Sequence, residues 1–271
     1  MFLSLLGALV MFFLYALIIG GPEADTITKT FAGVDSAKVH AFVNAWMFSG
    51  VVYIAAVTTP LGALSTFVDD TASGRLRDFL VSPLRRVQLI LGYLGSAFLI
   101  GLVMTLIVFV IGLGYLWIAS GIVLGPLQIV KAVGWIALSV AGFGALWAFV
   151  VAFLRSTVAF SAVTMIVATL TGFIAGAYFP VGYLPETVRN VISSLPFGHS
   201  AMLMRQEFAD TALSDLGTGQ SGIREALDPR YGMTLAIGDW SVPTWVAAGT
   251  LVALAVVCTA LAMTRIRARI R

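Results

Sequence analysis

Six long stretches of this sequence contain no Asp, Glu, Arg or His: about 1–20, 41–68, 87–117, 129–154, 157–179 and 242–264. Each matches or exceeds the roughly 20 apolar residues that cross a bilayer as a helix. Hydrocarbon offers no partner to an open backbone N–H or C=O, so spanning segments are helices or closed barrels, and uniform runs of this length are helical. The expected fold is all-α and polytopic, with six transmembrane helices in a single domain over 1–271. Composition agrees. Of the 271 residues 59% are hydrophobic and 11% charged, with a mean hydropathy of +0.99, too little charge to cover a soluble surface.

The first span has no basic leader and no clear small-x-small cleavage site, so it reads as a retained helix that Gly20-Gly21-Pro22 ends. A polar segment with Glu23, Asp25, Lys29, Asp35 and Lys38 follows, to about His40. Span two contains Pro60 after Thr58 and Thr59, which predicts a kink there, with threonine hydroxyls available to the freed carbonyls. Span three is longer than a bilayer needs and must tilt or project. Ser120 to Gln128 reads as a tight turn with Gly121, Gly125 and Pro126, and Lys131 lies near the outer end of span four, where it can snorkel. Arg155-Ser156 is a minimal turn, and span six runs into Arg265, Arg267, Arg269 and Arg271.

These charges orient the chain. With both termini inside, the short inner segments hold nine arginines in fewer than 30 residues, against seven basic residues over more than three times that length outside. The excess of positive charge belongs on the cytoplasmic side, so the orientation is N-in, C-in. The single cysteine, Cys258, lies in an apolar run and leaves no internal disulfide or thiolate cluster.

Between spans two and three lies a charged island, 69–88, carrying Asp69, Asp70, Arg75, Arg77, Asp78, Arg85 and Arg86. As a helix it would be capped by Thr71 or Ser73 and stopped by Pro83, with Leu76, Phe79 and Leu80 on one apolar face. That face suits a soluble partner. The competing reading is an interfacial helix lying on the headgroups. In the 180–241 segment, Pro180, Pro185 and Pro196 leave pieces too short to cross, about 185–195 and 197–208, expected as a re-entrant or surface-lying helix pair at the outer mouth. Asp210 to Asp239 reads as an exposed polar loop.

The spans lack the ionisable groups that ion-coupled transporters place at midplane. The chain contains no GxxxxGK[ST] phosphate loop, no HExxH and no GxSxG, and its two histidines, His40 and His199, are far apart. No enzyme activity, bound metal or nucleic-acid partner is therefore expected, and a driving force must come from another chain.

Two stretches carry a resemblance. Ser73-Gly74-Arg75-Leu76-Arg77-Asp78-Phe79-Leu80-Val81-Ser82-Pro83 is similar to the coupling-helix segment of type-2 ATP-binding-cassette (ABC) exporter permeases. Leu184-Pro185, then Pro196-Phe197-Gly198-His199, then Arg205 resembles that family's signature between the fifth and sixth spans. The resemblance implies a permease in a cell membrane, such as a bacterial plasma membrane, that pairs with a second permease chain and binds a cytoplasmic ABC ATPase holding ATP and Mg. It implies that Gly74, Arg75, Leu76, Phe79, Leu80, Ser82 and Pro83 meet the ATPase, and that Pro185, Pro196, His199 and Arg205 belong to the outer helix pair. Members usually begin with an amphipathic interface helix, whereas this chain starts in apolar sequence.

The implied function is outward movement of an amphipathic or lipid-like compound of the drug or antibiotic class, with polysaccharide or glycolipid export as the alternative and a non-transporting scaffold or sensor as the reading from another class. Candidate path residues are Asn44, Trp46, Phe48, Tyr53, Thr58 and Thr59 on span two with Phe160 and Thr164 on span five; each also suits helix packing. Gly142, Gly144, Gly172 and Gly176 suit close helix approach, within the chain or between two copies. Whether the pair is a homodimer or heterodimer stays open.

Overall fold

The computed structural model describes residues 18, 20–31, 33–75, 86–174, 176, 179–218 and 222–269, with backbone only at 86 and 267–269. Helices dominate: α1 (Gly20–Thr30), α2 (Ser36–Ala63), α3 (Ser65–Ala72), α4 (Arg86–Ser120), α5 (Pro126–Val151), α6 (Thr157–Ile174), α7 (Glu186–Ser194), α8 (Pro196–Gly217), α9 (Ile223–Arg230) and α10 (Thr244–Arg269). A two-residue hairpin, β1 (Ala236–Ile237) and β2 (Trp240–Ser241), pairs antiparallel with Ala236 opposite Ser241. Its connection puts Gly238 first, at φ +59, where a side chain would be strained.

Five segments are long and apolar enough to cross a membrane: Ser36–Ala72, Val87–Ser120, Pro126–Val151, Thr157–Ile174 and Thr244–Ile266. They coincide with spans two to six, and the protein is an all-α polytopic membrane protein. Span one lies outside the described residues except at 18 and 20. Span five stops at Ile174 rather than Phe179 because Gly176 takes φ +60, which ends the helix.

Helix α2 is the hub, packed by α1, α4, α5, α6 and α8. Asp35 starts it by accepting the Ala37 N–H at 2.9 Å. From Ala45 to Tyr53 it is buried on every side, as a helix apolar all round must be. Helices α4 and α5 reach it closely through glycines. A Cβ on Gly101 would lie 2.9 Å from Val140 and 3.2 Å from Pro60, and one on Gly112 would fall inside the Phe48 ring. Gly144 faces Pro60 and Gly142 faces the Leu251 carbonyl of α10, so these two glycines serve packing within the chain. Helix α6, by contrast, leaves Val158, Met165, Ile166, Leu170 and Phe173 exposed, a surface for lipid or a second chain.

Three expectations change. Gly20-Gly21-Pro22 does not end helical structure; it lies in α1, where Glu23, Ala24 and Ile27 turn inward. Thr71 and Ser73 precede residues outside the described ones, where the expected helix falls. These two side chains close α3, donating to the carbonyls of Phe67 at 2.7 Å and Asp69 at 2.7 Å, and Gly74 at φ +81 follows. Near Pro60, Thr58 and Thr59 bond the Ile54 and Ala55 carbonyls, each four residues back, not the Ala56 carbonyl that proline leaves without a donor. Asp210–Asp239 is no exposed loop: α8 runs on to Gly217, α9 and the hairpin follow, and Leu213, Leu216, Ile223, Leu227, Tyr231 and Met233 are buried anchors.

Candidate functional site

Two regions gather the polar groups of an otherwise apolar chain. The first is the helix pair α7–α8. Pro185 precedes α7 with extended backbone, and Pro196 takes the first position of α8, where its missing N–H is not needed. The elbow between them is tight: a Cβ on Gly198 would stand 2.5 Å from the Ile192 carbonyl oxygen, so the Pro196-Phe197-Gly198-His199 run requires glycine third. His199 then reaches back, its Nε2 lying 2.8 Å from the Ser193 carbonyl. A carbonyl only accepts, so Nε2 carries the proton. Burial holds the imidazole below its ordinary pKa, outweighing the opposite pull of the Ser193 bond, and the ring is neutral.

Helix α8 is not a surface helix. It packs against α2, α5 and α10, with Ser200 2.7 Å from Ser139 of α5 and Phe208 edge-on to Phe48 and Phe109. Arg205, 1% exposed, donates from Nη2 to the Gly176 carbonyl at 2.9 Å and from Nη1 to the Gly232 carbonyl at 3.5 Å, with its charge 5.9 Å from the Trp46 ring. Gly232 is left-handed, and a Cβ there would meet Arg205 Nη1 at 2.4 Å. Glu207, two residues further along α8, accepts from Trp135 Nε1 at 3.2 Å.

Beside this lies a cluster that sequence reasoning missed. The Glu23 carboxylate is buried, and its Oε1 accepts from Tyr231 and, at 3.2 Å, from Tyr183. Arg230 donates to Tyr183, stacks 4.7 Å from its ring and lies 3.9 Å from Glu23. Burial and the Glu23 bond push the Tyr231 phenol far above its usual range. These residues are up to 208 apart in sequence, and no local pattern connects them.

The second region is the root of the 73–83 segment. Asp70 is buried beside Tyr93 of α4, while Ser73, Gly74 and Arg75 are exposed. Leu76, Phe79, Leu80, Ser82 and Pro83 lie outside the described residues. The candidate path residues make contacts within the chain. Trp46 donates from Nε1 to the Tyr231 carbonyl at 3.0 Å, Phe48 rests on Gly112, and Tyr53 is buried against Phe143. Asn44 donates to Ser120 at 2.9 Å, and Thr59 also donates to the Gly101 carbonyl at 3.2 Å. On α6, half-buried Phe160 offers its carbonyl to Thr164.

Apolar spans around the buried helix α8, broken from the more exposed α7 at Pro196, define a polytopic membrane protein. A family model described as ABC-2 family transporter protein matches residues 22–264, and the chain belongs to that family. It is the transmembrane subunit of an ABC transporter, whose family associates with an ABC ATPase. No curated protein matches the chain.

Proposed function

We propose that this chain is the permease of an exporter, a single domain in a bacterial plasma membrane with both termini inside, that moves an amphipathic or lipid-like compound of the drug or antibiotic class outward. A second permease chain completes the passage. A cytoplasmic ATPase, holding ATP and Mg, meets Gly74, Arg75, Leu76, Phe79, Leu80, Ser82 and Pro83 and drives the cycle from there.

What supports this most is the length of the two helical stretches that flank the island. Ser36–Ala72 is 37 residues and Val87–Ser120 is 34, against roughly 20 needed to cross. At the rise of an α-helix they extend about 55 and 50 Å, beyond the ~40–45 Å of a bilayer with its headgroups. Ends that project hold the intervening segment off the lipid, where a soluble partner has access. The outward direction rests on the resemblance of both motifs to exporters; the positive charge of the inner segments supports only their cytoplasmic placement.

The test has two readings. Affinity purification of the tagged chain from its native membrane in mild detergent should recover an ABC ATPase at about one copy per chain. The complex in inside-out vesicles should then take up Hoechst 33342 or a fluorescent phospholipid only with ATP and Mg. Recovery of the chain without an ATPase, where a control ABC complex survives, would defeat the reading. Uptake of neither probe would defeat the cargo class.

A further inference from the structure

We infer that Asp70 is a positioning residue that ties the root of the 73–83 segment to span three, and that this tie passes movement of the segment into the membrane helices. The inference rests on the reading above, in which that segment meets an ATPase. Helix α3 is eight residues long and follows α2 after Leu64, whose backbone stays right-handed, so it carries the end of span two toward the segment. At its far end two carboxylates stand side by side. Asp69 is exposed, as a charge at a helix end prefers; Asp70 is buried. A buried carboxylate is costly unless it is hydrogen-bonded, and Asp70 Oδ2 accepts from the Tyr93 hydroxyl at 2.7 Å. One turn earlier, Phe67 meets the Tyr93 ring edge-on at 5.1 Å. The other oxygen, Oδ1, faces Arg75 Nη1 at 3.6 Å, across the left-handed turn at Gly74.

One carboxylate is therefore shared. One oxygen is held by span three and the other by the first side chain of the segment beyond Gly74. Arg75 is 70% exposed, so its pairing contributes little stability. Its effect is directional: it sets how the chain leaves α3. Displacing the segment moves Arg75, turns the carboxylate, and pulls on Tyr93, which lies on the helix that packs along α2.

The test uses the complex of permease and ATPase in lipid nanodiscs. Tyr93→Phe keeps the ring on Phe67 and removes only the hydroxyl. It should lower kcat for ATP hydrolysis about tenfold, the factor carried by ~1.4 kcal/mol, within what a hydrogen bond to a charged group contributes. KM for ATP and the ATPase-to-permease ratio should stay unchanged. The unfolding midpoint should fall by only a few degrees and stay above the assay temperature, so the loss of kcat is not a loss of folded complex, as a merely structural role would require. Asp70→Ala should lower kcat at least as far, and adding Tyr93→Phe to it should have no further effect. If either single variant holds its ATPase but keeps kcat within about twofold of wild type, or if the two losses multiply, the tie transmits nothing. If the wild-type chain holds no ATPase, it is the underlying reading that fails, and the inference falls with it.

Discussion

Replacing Arg205 with lysine tests what fastens the 180–241 segment to the spans. The two terminal nitrogens of this buried guanidinium reach different pieces of chain, Gly176 just beyond α6 and Gly232 just beyond α9. A lysine ammonium keeps the charge but is shorter and has no planar fork, so one carbonyl loses its donor. A hydrogen bond from a charged donor contributes about 1.5–3 kcal/mol. The Nη1 contact is long at 3.5 Å, so the loss lies toward the lower end, about 2 kcal/mol. For a chain of this size that lowers the unfolding midpoint by roughly 4–8 °C. The chain supplies its own reporter. Cys258 is the single cysteine and is buried in α10, which packs on α5 and α8, so a thiol-reactive fluorophore added during heating follows release of that packing. Arg205→Met, which removes both donors, should fall at least as far. An Arg205→Lys midpoint within about 1 °C of wild type would refute the fork as a fastening.

Gly112→Ala should prevent accumulation of folded protein, because its methyl would occupy the Phe48 ring position; Phe48→Leu in the same chain should restore yield, read by detergent size-exclusion profile. His199 has a folded pKa lowered by burial. As pH falls through the ordinary histidine range near ~6.5, the unfolded chain takes up a proton that the folded chain refuses, so stability is full above that pH and declines below it, by up to about 1.4 kcal/mol per unit. Thermal unfolding from pH 7.5 to 5.5 should show this slope, and His199→Gln should flatten it. Leu76→Asp or Phe79→Asp should abolish ATPase recovery on purification while membrane insertion, read by protease protection, is unchanged; full recovery with both would remove the 73–83 segment as the ATPase contact.

The spans were legible because a bilayer imposes one rule over some 20 residues, and a proline at 185 or 196 interrupts it visibly. Pro196 to Arg205 was legible as a helix for the same reason. Asp210–Asp239 was not, because averaging over that stretch hides its anchors. Leu213 and Leu216, three apart, and Ile223 and Leu227, four apart, carry a helical spacing that a loop does not need. The tie from Arg224 to Asp210 and Ser214 then folds α9 back on α8. The Glu23–Tyr183–Arg230–Tyr231 cluster and the Asp70–Tyr93 bond had no local signature at all, since each partner is an ordinary residue until the tertiary fold brings it into contact. Thr71 and Ser73 suit either end of a helix, and the left-handed Gly74 marks where α3 stops.

The Trp46 indole donates to a carbonyl 185 residues further along the chain. At roughly 5–20 residues per second of synthesis, span two waits about 10–40 s for that acceptor. Phe42 and Phe48 wait equally, for Tyr231 and Phe208. Throughout that interval the hub of the fold is in the membrane without its final neighbours, so the insertion machinery must shelter it, and truncation anywhere before α8 leaves a quality-control protease an unassembled span rather than a smaller protein.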